Sequence, residues 1–272
     1  MKDMTHPKPL GFAALANALT SRNAEYSAHI PASWKQGRTA YGGLTSGLAL
    51  VAAQKSFPDL PPLRSANINF IGPVSDDPLF KTVLLRQGRN VTTVKVKGYV
   101  DDKIIADIVF TFGIKRKSLL NVDFMTNQTP PPESCEPFTP HAIENFVPKF
   151  FLQFDTRLIN GARPMSGSKE GYIHAWSRHK DVKSREGVAS LLTLADVLPP
   201  AALPMLTKMG PVSSVNFLLN FITDFPKTRD GWWQVETKLT TANDGYSSQI
   251  MRIFNYEGEL VAEGMQMVAL FV

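Results

Sequence analysis

Residues 64–73 read Arg-Ser-Ala-Asn-Ile-Asn-Phe-Ile-Gly-Pro, and residues 213–222 read Ser-Ser-Val-Asn-Phe-Leu-Leu-Asn-Phe-Ile. Each stretch follows a helical segment rich in leucine and small residues, and three further strand-like runs come after each. The same order of elements therefore occurs twice. This near-repeat, at roughly half the chain length, predicts one α+β unit used twice.

The elements around the repeat can be placed from hydrophobic periodicity and from turn residues. In the first half, the sequence predicts a helix over residues 44–56 and then strands at about 64–72, 79–87, 91–100 and 103–112. In the second half, it predicts strands at 150–158 and 171–179, a helix at about 185–197, and strands near 212–222, 232–240, 246–256 and 259–271.

A proline-rich segment separates the two halves. Residues 116–149 contain Pro130, Pro131, Pro132, Pro137, Pro140 and Pro148. Proline cannot donate to a sheet ladder, so this segment is expected to be a linker outside the sheets. The predicted organisation is an N-terminal unit of residues 1–115, a linker of residues 116–149 and a C-terminal unit of residues 150–272.

A long helix followed by an antiparallel meander is typical of a curved sheet wrapped around that helix. The predicted fold class is α+β, with two tandem units of this kind that pair edge strands and bury both helices. A duplicated unit does within one chain what a symmetric dimer does with two. A parallel α/β sheet is disfavoured, because it would need helices between most strands.

The composition is that of an ordinary globular protein of 272 residues, with 43% hydrophobic and 19% charged residues. No apolar run approaches the ~18 residues of a membrane span, and residues 1–9 lack the apolar core of a signal peptide, so a cytoplasmic location is expected. The net charge of +5 is spread out, and its longest cluster, Lys115–Lys117, fits a solvated turn or attraction to a phosphorylated small molecule. Nucleic-acid binding is not predicted, because no recognition element accompanies the charge.

One acidic residue lies on the apolar face of the second predicted helix. Asp196 follows Leu192 by four residues and Val188 by eight, so the three share a face. A carboxylate there is costly unless it is hydrogen-bonded, and the helix dipole repels it in the last turn. Asp196 is therefore a candidate functional group. Alternatively, it caps a short helix at residues 199–207 that would begin with Pro199.

A glutamine is out of place in the last predicted strand. Gln266 has apolar neighbours, and the first half has Phe110 in its place when Ala106 is laid over Ala262. An amide that faces the core needs partners for its donors and its acceptor. The alternative is that Gln266 faces solvent from an edge strand.

A serine begins a strand that should lie beside the helix end carrying Asp196. This serine is Ser214, and the adjacent Ser213 is the alternative source of the hydroxyl. A carboxylate, a hydroxyl and the amide of Gln266 that converge on one spot can hold and deprotonate a water.

Other chemistries lack their sequence motifs. Residues 43–47 have threonine where a nucleophile elbow has serine, which argues against a serine hydrolase. No phosphate-binding loop or dinucleotide fingerprint is present. The five histidines show no metal-ligand spacing, and Cys135, the single cysteine, has no nearby histidine. No metal and no cofactor are therefore predicted.

Six short motifs occur along the chain: Gly37-Arg38, Tyr41-Gly42-Gly43, Asn69-Phe70, Arg86-Gln-Gly-Arg89, Leu194-Ala-Asp-Val-Leu-Pro-Pro200 and Gly264-Met-Gln-Met267. In this order they resemble the motifs of the double hot-dog acyl-CoA thioesterases, the bacterial type II group and its thioesterase-like relatives. The resemblance covers roughly residues 20–272. It implies two tandem hot-dog units, an acyl-CoA substrate, and self-association into a homo-oligomer, a dimer or larger.

The resemblance also implies a mechanism. In that family an Asp, a Thr or Ser, and a Gln of the second hot-dog position a water that attacks the thioester carbonyl, and they match Asp196, Ser214 and Gln266. Backbone N–H groups of Gly42 and Gly43, at a helix start, are expected to polarise the substrate carbonyl. The predicted activity is hydrolysis of acyl-CoA to a fatty acid and CoA. A degenerate hot-dog protein that binds acyl thioesters or a partner without hydrolysis is the alternative; a hot-dog hydratase would need an Asp–His pair near a helix start, and the sequence shows no such spacing.

Overall fold

The computed structural model describes residues 10–22 and 25–272. Residues 1–9, on which the expectation about a signal peptide rests, lie outside the described residues, as do residues 23 and 24. Thirteen of the described strands form one large sheet, and two more form a separate ribbon. All pairs are antiparallel, in agreement with the predicted α+β class.

The helices and strands have the following bounds. The helices are α1 (Phe12–Asn17), α2 (Gly42–Ser56) and α3 (Val188–Ala195). The first strands are β1 (Thr20–Arg22), β2 (Glu25–Ser27), β3 (Lys35–Gln36), β4 (Thr39–Ala40), β5 (Leu63–Phe70), β6 (Leu79–Gln87), β7 (Val91–Val100) and β8 (Lys103–Gly113). The later strands are β9 (Glu136–Pro137), β10 (Phe154–Gly161), β11 (Tyr172–His179), β12 (Val212–Phe221), β13 (Trp233–Asn243), β14 (Tyr246–Phe254) and β15 (Leu260–Leu270). The order in the large sheet is β1-β2-β6-β7-β8-β5-β12-β15-β14-β13-β11-β10-β9.

The two repeated stretches pair with each other within the large sheet. Strands β5 and β12 are antiparallel neighbours, with Asn216 opposite Asn69 and Leu218 opposite Asn67. In the repeat, Asn67 corresponds to Asn216 and Asn69 corresponds to Leu218. When two residues face each other across this pair of strands, their counterparts in the repeat also face each other, as in an isologous interface. The duplicated strand joins the halves about a local two-fold axis.

Helices α2 and α3 pack against each other and against the sheet. Helix α2 has 15 residues, is largely buried, and begins two residues before its predicted start. Helix α3 has only 8 residues, because Gly187 before it has a φ of +89°, a conformation suited to glycine but not to a helix. A long helix in each unit is therefore not confirmed. No helix of the described residues is long and apolar enough to cross a membrane.

The proline-rich segment is not wholly outside the sheet, and that part of the prediction is wrong. Glu136 and Pro137 form β9, which pairs with β10 at the edge of the sheet. Proline is tolerated there because an edge strand leaves one row of N–H positions without sheet partners. The indole N–H of Trp176 in β11 also donates to the Pro130 carbonyl oxygen, at 2.9 Å. The segment thus packs on the C-terminal half.

Strand pairing gives Gln266 a different first-half counterpart from the predicted one. Gln266 lies opposite Phe217, and Ile68, the counterpart of Phe217 in the repeat, lies opposite Ile108. The difference of two residues from Phe110 preserves the face of the strand, and Ile108 and Phe110 are both fully buried. The contrast between an amide in one half and an apolar residue in the other therefore stands.

Phe110→Ala is expected to lower the free energy of unfolding by about 3–5 kcal/mol, because it removes a buried ring and leaves a cavity. Phe124→Ala is the matched control, since that ring is 89% exposed, and its effect should stay within about 0.5 kcal/mol. Chemical denaturation of both variants is the measurement. Equal losses in the two would contradict the core assignment of Phe110.

Candidate active site

Asp196 directly follows α3, and its carboxylate lies at the N-terminus of α2. It accepts a hydrogen bond from the backbone N–H of Gly43, and a Cβ placed on Gly42 would lie 2.8 Å from Asp196 Oδ2. The N–H groups and the dipole at a helix start favour a negative charge. The first half of the chain therefore holds the carboxylate that the second half supplies.

Close approach of the two helices brings these groups together. The Tyr41 hydroxyl, at the N-cap of α2, donates to the carbonyl oxygen of Thr193 in α3, at 2.8 Å. A Cβ on Gly43 would overlap that carbonyl oxygen and would lie 2.5 Å from the Tyr41 hydroxyl oxygen. The contact thus depends on glycine at the start of α2.

The alternative role for Asp196, as the cap of a short helix at residues 199–207, is wrong. The helical turn in that region is Leu203–Met205, it begins after Ala202, and no side chain caps it. The carboxylate of Asp196 is instead directed at α2.

Burial controls the protonation of this carboxyl group. Desolvation raises the pKa of Asp196 from 3.8 to about 7, although hydrogen bonds from Gln266 and from the Gly43 N–H act to lower it. Burial and the charge of Asp196 raise the pKa of Tyr41 well above 10, so that hydroxyl stays protonated. Part of the Asp196 surface still meets solvent. Such a carboxyl group can exchange a proton near neutral pH.

Gln266 connects the other two residues predicted from the sequence, Asp196 and Ser214. Its Nε2 donates to Asp196 Oδ1 at 2.9 Å and to Ser214 Oγ at 3.0 Å. Strand β15 lies between β12 and β14, and Gln266 is only 3% exposed. The alternative of a solvent-facing Gln266 on an edge strand is therefore wrong.

A β-bulge in β12 decides which serine joins this network. In an unbroken strand, Ser213 would share a face with Phe217, which lies in the core. The register of β12 against β15 shifts between Ser214 and Asn216, and the extra residue turns Ser214 to the core face instead. Ser213 is exposed. The hydroxyl in contact with Gln266 is that of Ser214.

One further residue of the network escaped the sequence reasoning. Gln249 is fully buried in β14, directly opposite Gln266. Its Nε2 donates to Gln266 Oε1 at 2.8 Å, and its Oε1 accepts from the Ala201 N–H at 2.7 Å. The two-residue period of side chains along a strand could have identified it, because that period places Gln249 on the same face as the buried Met251 and Ile253.

Solved structures with the same architecture place the protein in the hot-dog fold class. A conserved protein of unknown function with hot dog fold from Alicyclobacillus acidocaldarius has a TM-score of 0.85 and 20% identity, over 97% of this chain and 99% of that chain. A tesB protein of Mycobacterium avium subspecies paratuberculosis has a TM-score of 0.74 and 18% identity, over 95% and 97%. The acyl-CoA thioesterase II TesB2 of Mycobacterium marinum has a TM-score of 0.71 and 19% identity, over 94% and 97%.

The sequence matches two domains of one protein family. Residues 30–113 match the acyl-CoA thioesterase N-terminal domain, and residues 132–270 match the acyl-CoA thioesterase C-terminal domain. The chain therefore belongs to the acyl-CoA thioesterase family. No curated protein matches the sequence.

Proposed function

We propose that the protein hydrolyses acyl-CoA thioesters to a fatty acid and CoA. The observation that carries the proposal is the Asp196 carboxylate, which has a pKa of about 7 and accepts hydrogen bonds from Gln266 and Gly43. A general base works best when its pKa lies near the operating pH. Membership of the acyl-CoA thioesterase family supports a thioester substrate and two tandem hot-dog units.

In the proposed reaction, Asp196 takes a proton from a water whose oxygen attacks the thioester carbonyl carbon. Gln266 donates its two amide hydrogens to Asp196 and to Ser214, which leaves the Ser214 O–H to donate to the water oxygen. A C–O bond forms and the carbonyl electrons move to oxygen. The oxyanion electrons then re-form the C=O bond as the C–S bond breaks, and the CoA sulfur leaves with the electron pair of that bond and takes the proton from Asp196.

Of the two glycines expected to polarise the substrate carbonyl, only Gly42 is proposed to do so; the expectation for Gly43 is wrong, because its N–H is directed at Asp196. Gly43 holds Asp196 through its N–H, whereas a Cβ on Gly42 would come within 2.8 Å of the carboxylate and 3.0 Å of Phe70. Glycine at position 42 therefore lets the Asp196 carboxylate and the Phe70 ring approach the start of α2. The positive end of the helix dipole would stabilise the oxyanion that forms there.

Self-association and location stay predictions. The resemblance implies a dimer or larger homo-oligomer, and a cytoplasmic location is likewise only an expectation from the sequence. Neither enters the proposed mechanism, because the contacts that build the site lie within one chain.

The proposed function is tested with purified protein and acyl-CoAs of increasing chain length, while free thiol is measured. Thiol release that scales with protein and saturates with acyl-CoA is the expected result. Saturable acyl-CoA binding without thiol release would identify a non-hydrolysing binder and overturn the proposal.

The rate of hydrolysis is expected to rise with pH up to about 7 and then to level off. Asp196 acts as a base only when ionised, and burial raises its pKa to about 7. Below that value, kcat should fall about tenfold per pH unit, in step with the ionised fraction. Initial rates are measured at saturating acyl-CoA between about pH 5 and pH 9, roughly two units on either side of the Asp196 pKa. A flat profile would exclude Asp196 as the base.

A further inference from the structure

Gln249 lies on the far side of the Gln266 amide from Asp196. We infer that Gln249 is a positioning residue that fixes the orientation of this amide, so that Nε2 rather than Oε1 faces Asp196 and Ser214. The inference rests on the proposed function, because the proposed base is held by that nitrogen.

The two glutamines are fixed side by side in the sheet. Gln249 and Gln266 are directly opposite each other on β14 and β15. Gln249 has no solvent exposure and Gln266 has 3%. Both strands are interior members of the sheet, and both side chains are buried. Each amide must find its hydrogen bonds among buried groups.

The direction of each hydrogen bond follows from one unambiguous donor. A backbone N–H can only donate, so the atom of Gln249 that faces the Ala201 N–H, at 2.7 Å, must be Oε1. The amide nitrogen of Gln249 then faces Gln266 and donates to Oε1 at 2.8 Å. Gln266 must therefore present its own nitrogen to Asp196 and Ser214. The Ala201 N–H thus determines which atom of Gln266 faces the Asp196 carboxylate.

The reversed orientation of Gln266 would break this order. Its Oε1 would face Asp196 Oδ1, which places two acceptors in contact, and its nitrogen would face the nitrogen of Gln249, which places two donors in contact. The bond to Asp196 would be lost. Gln249 thus selects the orientation that stabilises the ionised carboxylate.

The same contacts tie the site to the segment that follows α3. Asp196 begins this segment, Ala201 lies further along it, and Val197 and Leu198 between them are buried. The segment closes a ring with Gln249 and Gln266, through hydrogen bonds at Ala201 and at Asp196. An apolar side chain could fill the volume of Gln249, so packing alone does not require an amide there.

Gln249→Met is the test variant, because methionine fills a similar volume and makes neither hydrogen bond. Relative to the native protein, kcat for acyl-CoA hydrolysis is expected to fall about tenfold or more, with KM changed by less than about twofold. The acid limb of the pH–rate profile should move to higher pH, because the bond from Gln266 lowers the pKa of Asp196. In a Gln266→Ala background, Gln249→Met should have little further effect, as expected of residues that act in series.

Gln234→Met is the matched control. Gln234 is a buried glutamine of β13 that donates to the carbonyl oxygens of Asn127 and Asn255, both at 3.4 Å. Its neighbour Val235 faces the core, so Gln234 faces the opposite side of the sheet. This variant should lose stability, while its kcat and its pH profile stay at the native values.

Each outcome is decisive for one of the two proposals. Native kcat and a native acid limb in Gln249→Met, or equal changes in Gln234→Met, would overturn the positioning role. If the native protein releases no thiol, the proposed function fails, and carbon-13 NMR titration of the Asp196 carboxyl still tests the positioning role. A higher pKa for Asp196 in Gln249→Met would support that role, and an unchanged pKa would overturn it. The Tyr41 hydroxyl stays protonated over the pH range of the rate profile, so it does not contribute to a shift of the acid limb.

Discussion

Asp196→Asn is expected to reduce kcat for acyl-CoA hydrolysis by about two orders of magnitude or more, the scale of losing a general base. Asparagine has nearly the shape of aspartate, and its oxygen can still accept from Gln266. Its amide cannot take up a proton at neutral pH. Substrate affinity should therefore be largely retained, and the loss should lie in kcat rather than in KM.

The same variant should become more stable than the parent as the pH rises. Folding raises the pKa of Asp196 from 3.8 to about 7, so the folded state binds the proton more tightly than the unfolded state. That stabilisation is complete below pH 3.8 and is lost, by up to about 4 kcal/mol, as the pH rises to about 7. Asp196→Asn does not suffer this loss. A lower kcat together with a higher stability would show that the variant has lost the chemical step and has kept its fold.

Asp102→Asn is the control, because Asp102 lies in an exposed turn with a positive φ of 62°, which asparagine also tolerates. Its kcat and its stability should match those of the parent. Thiol release and denaturation are measured at about pH 4, near the lower end of the shift, and at about pH 8, roughly one unit above its upper end. Undiminished turnover by Asp196→Asn would move the active site elsewhere in the molecule.

Gly43→Ala is expected to lower the free energy of unfolding by about 2 kcal/mol or more and to remove most of the activity. In an open helix, alanine would stabilise by about 1 kcal/mol. Here its Cβ would overlap the Thr193 carbonyl oxygen and meet the Tyr41 hydroxyl, so α2 and α3 must separate. That shift also withdraws the Gly43 N–H from Asp196.

Gly72→Ala is the matched control for this substitution. A Cβ on Gly72 would meet its nearest atom at 3.4 Å, an ordinary contact. Denaturation and thiol release should give values near those of the native protein. Native stability in Gly43→Ala would show that the approach of the two helices is looser than the structure indicates.

The repeat and the hydrophobic alternation were sufficient to predict most strand bounds. Hydrophobic alternation is a local property, and it gave strands β6, β7 and β8 within one or two residues of their observed ends. The length of α3 was overestimated at both ends, because Gly187, with a φ of +89°, delays its start and the helix ends before Asp196. The edge position of β9 was missed, because pairing of a proline-containing segment depends on a distant strand.

Residue identity by itself marked Asp196 and Gln266 as polar groups in apolar segments, and a buried polar group must find a partner. Only the tertiary structure determines which groups are the partners. The bulge that selects Ser214 over Ser213 arises from the register of β12 against β15, and the Gly43 N–H reaches Asp196 because two helices from different halves touch. Such contacts join groups far apart in sequence, and their geometry is fixed when the whole sheet closes around the helices rather than by any local pattern.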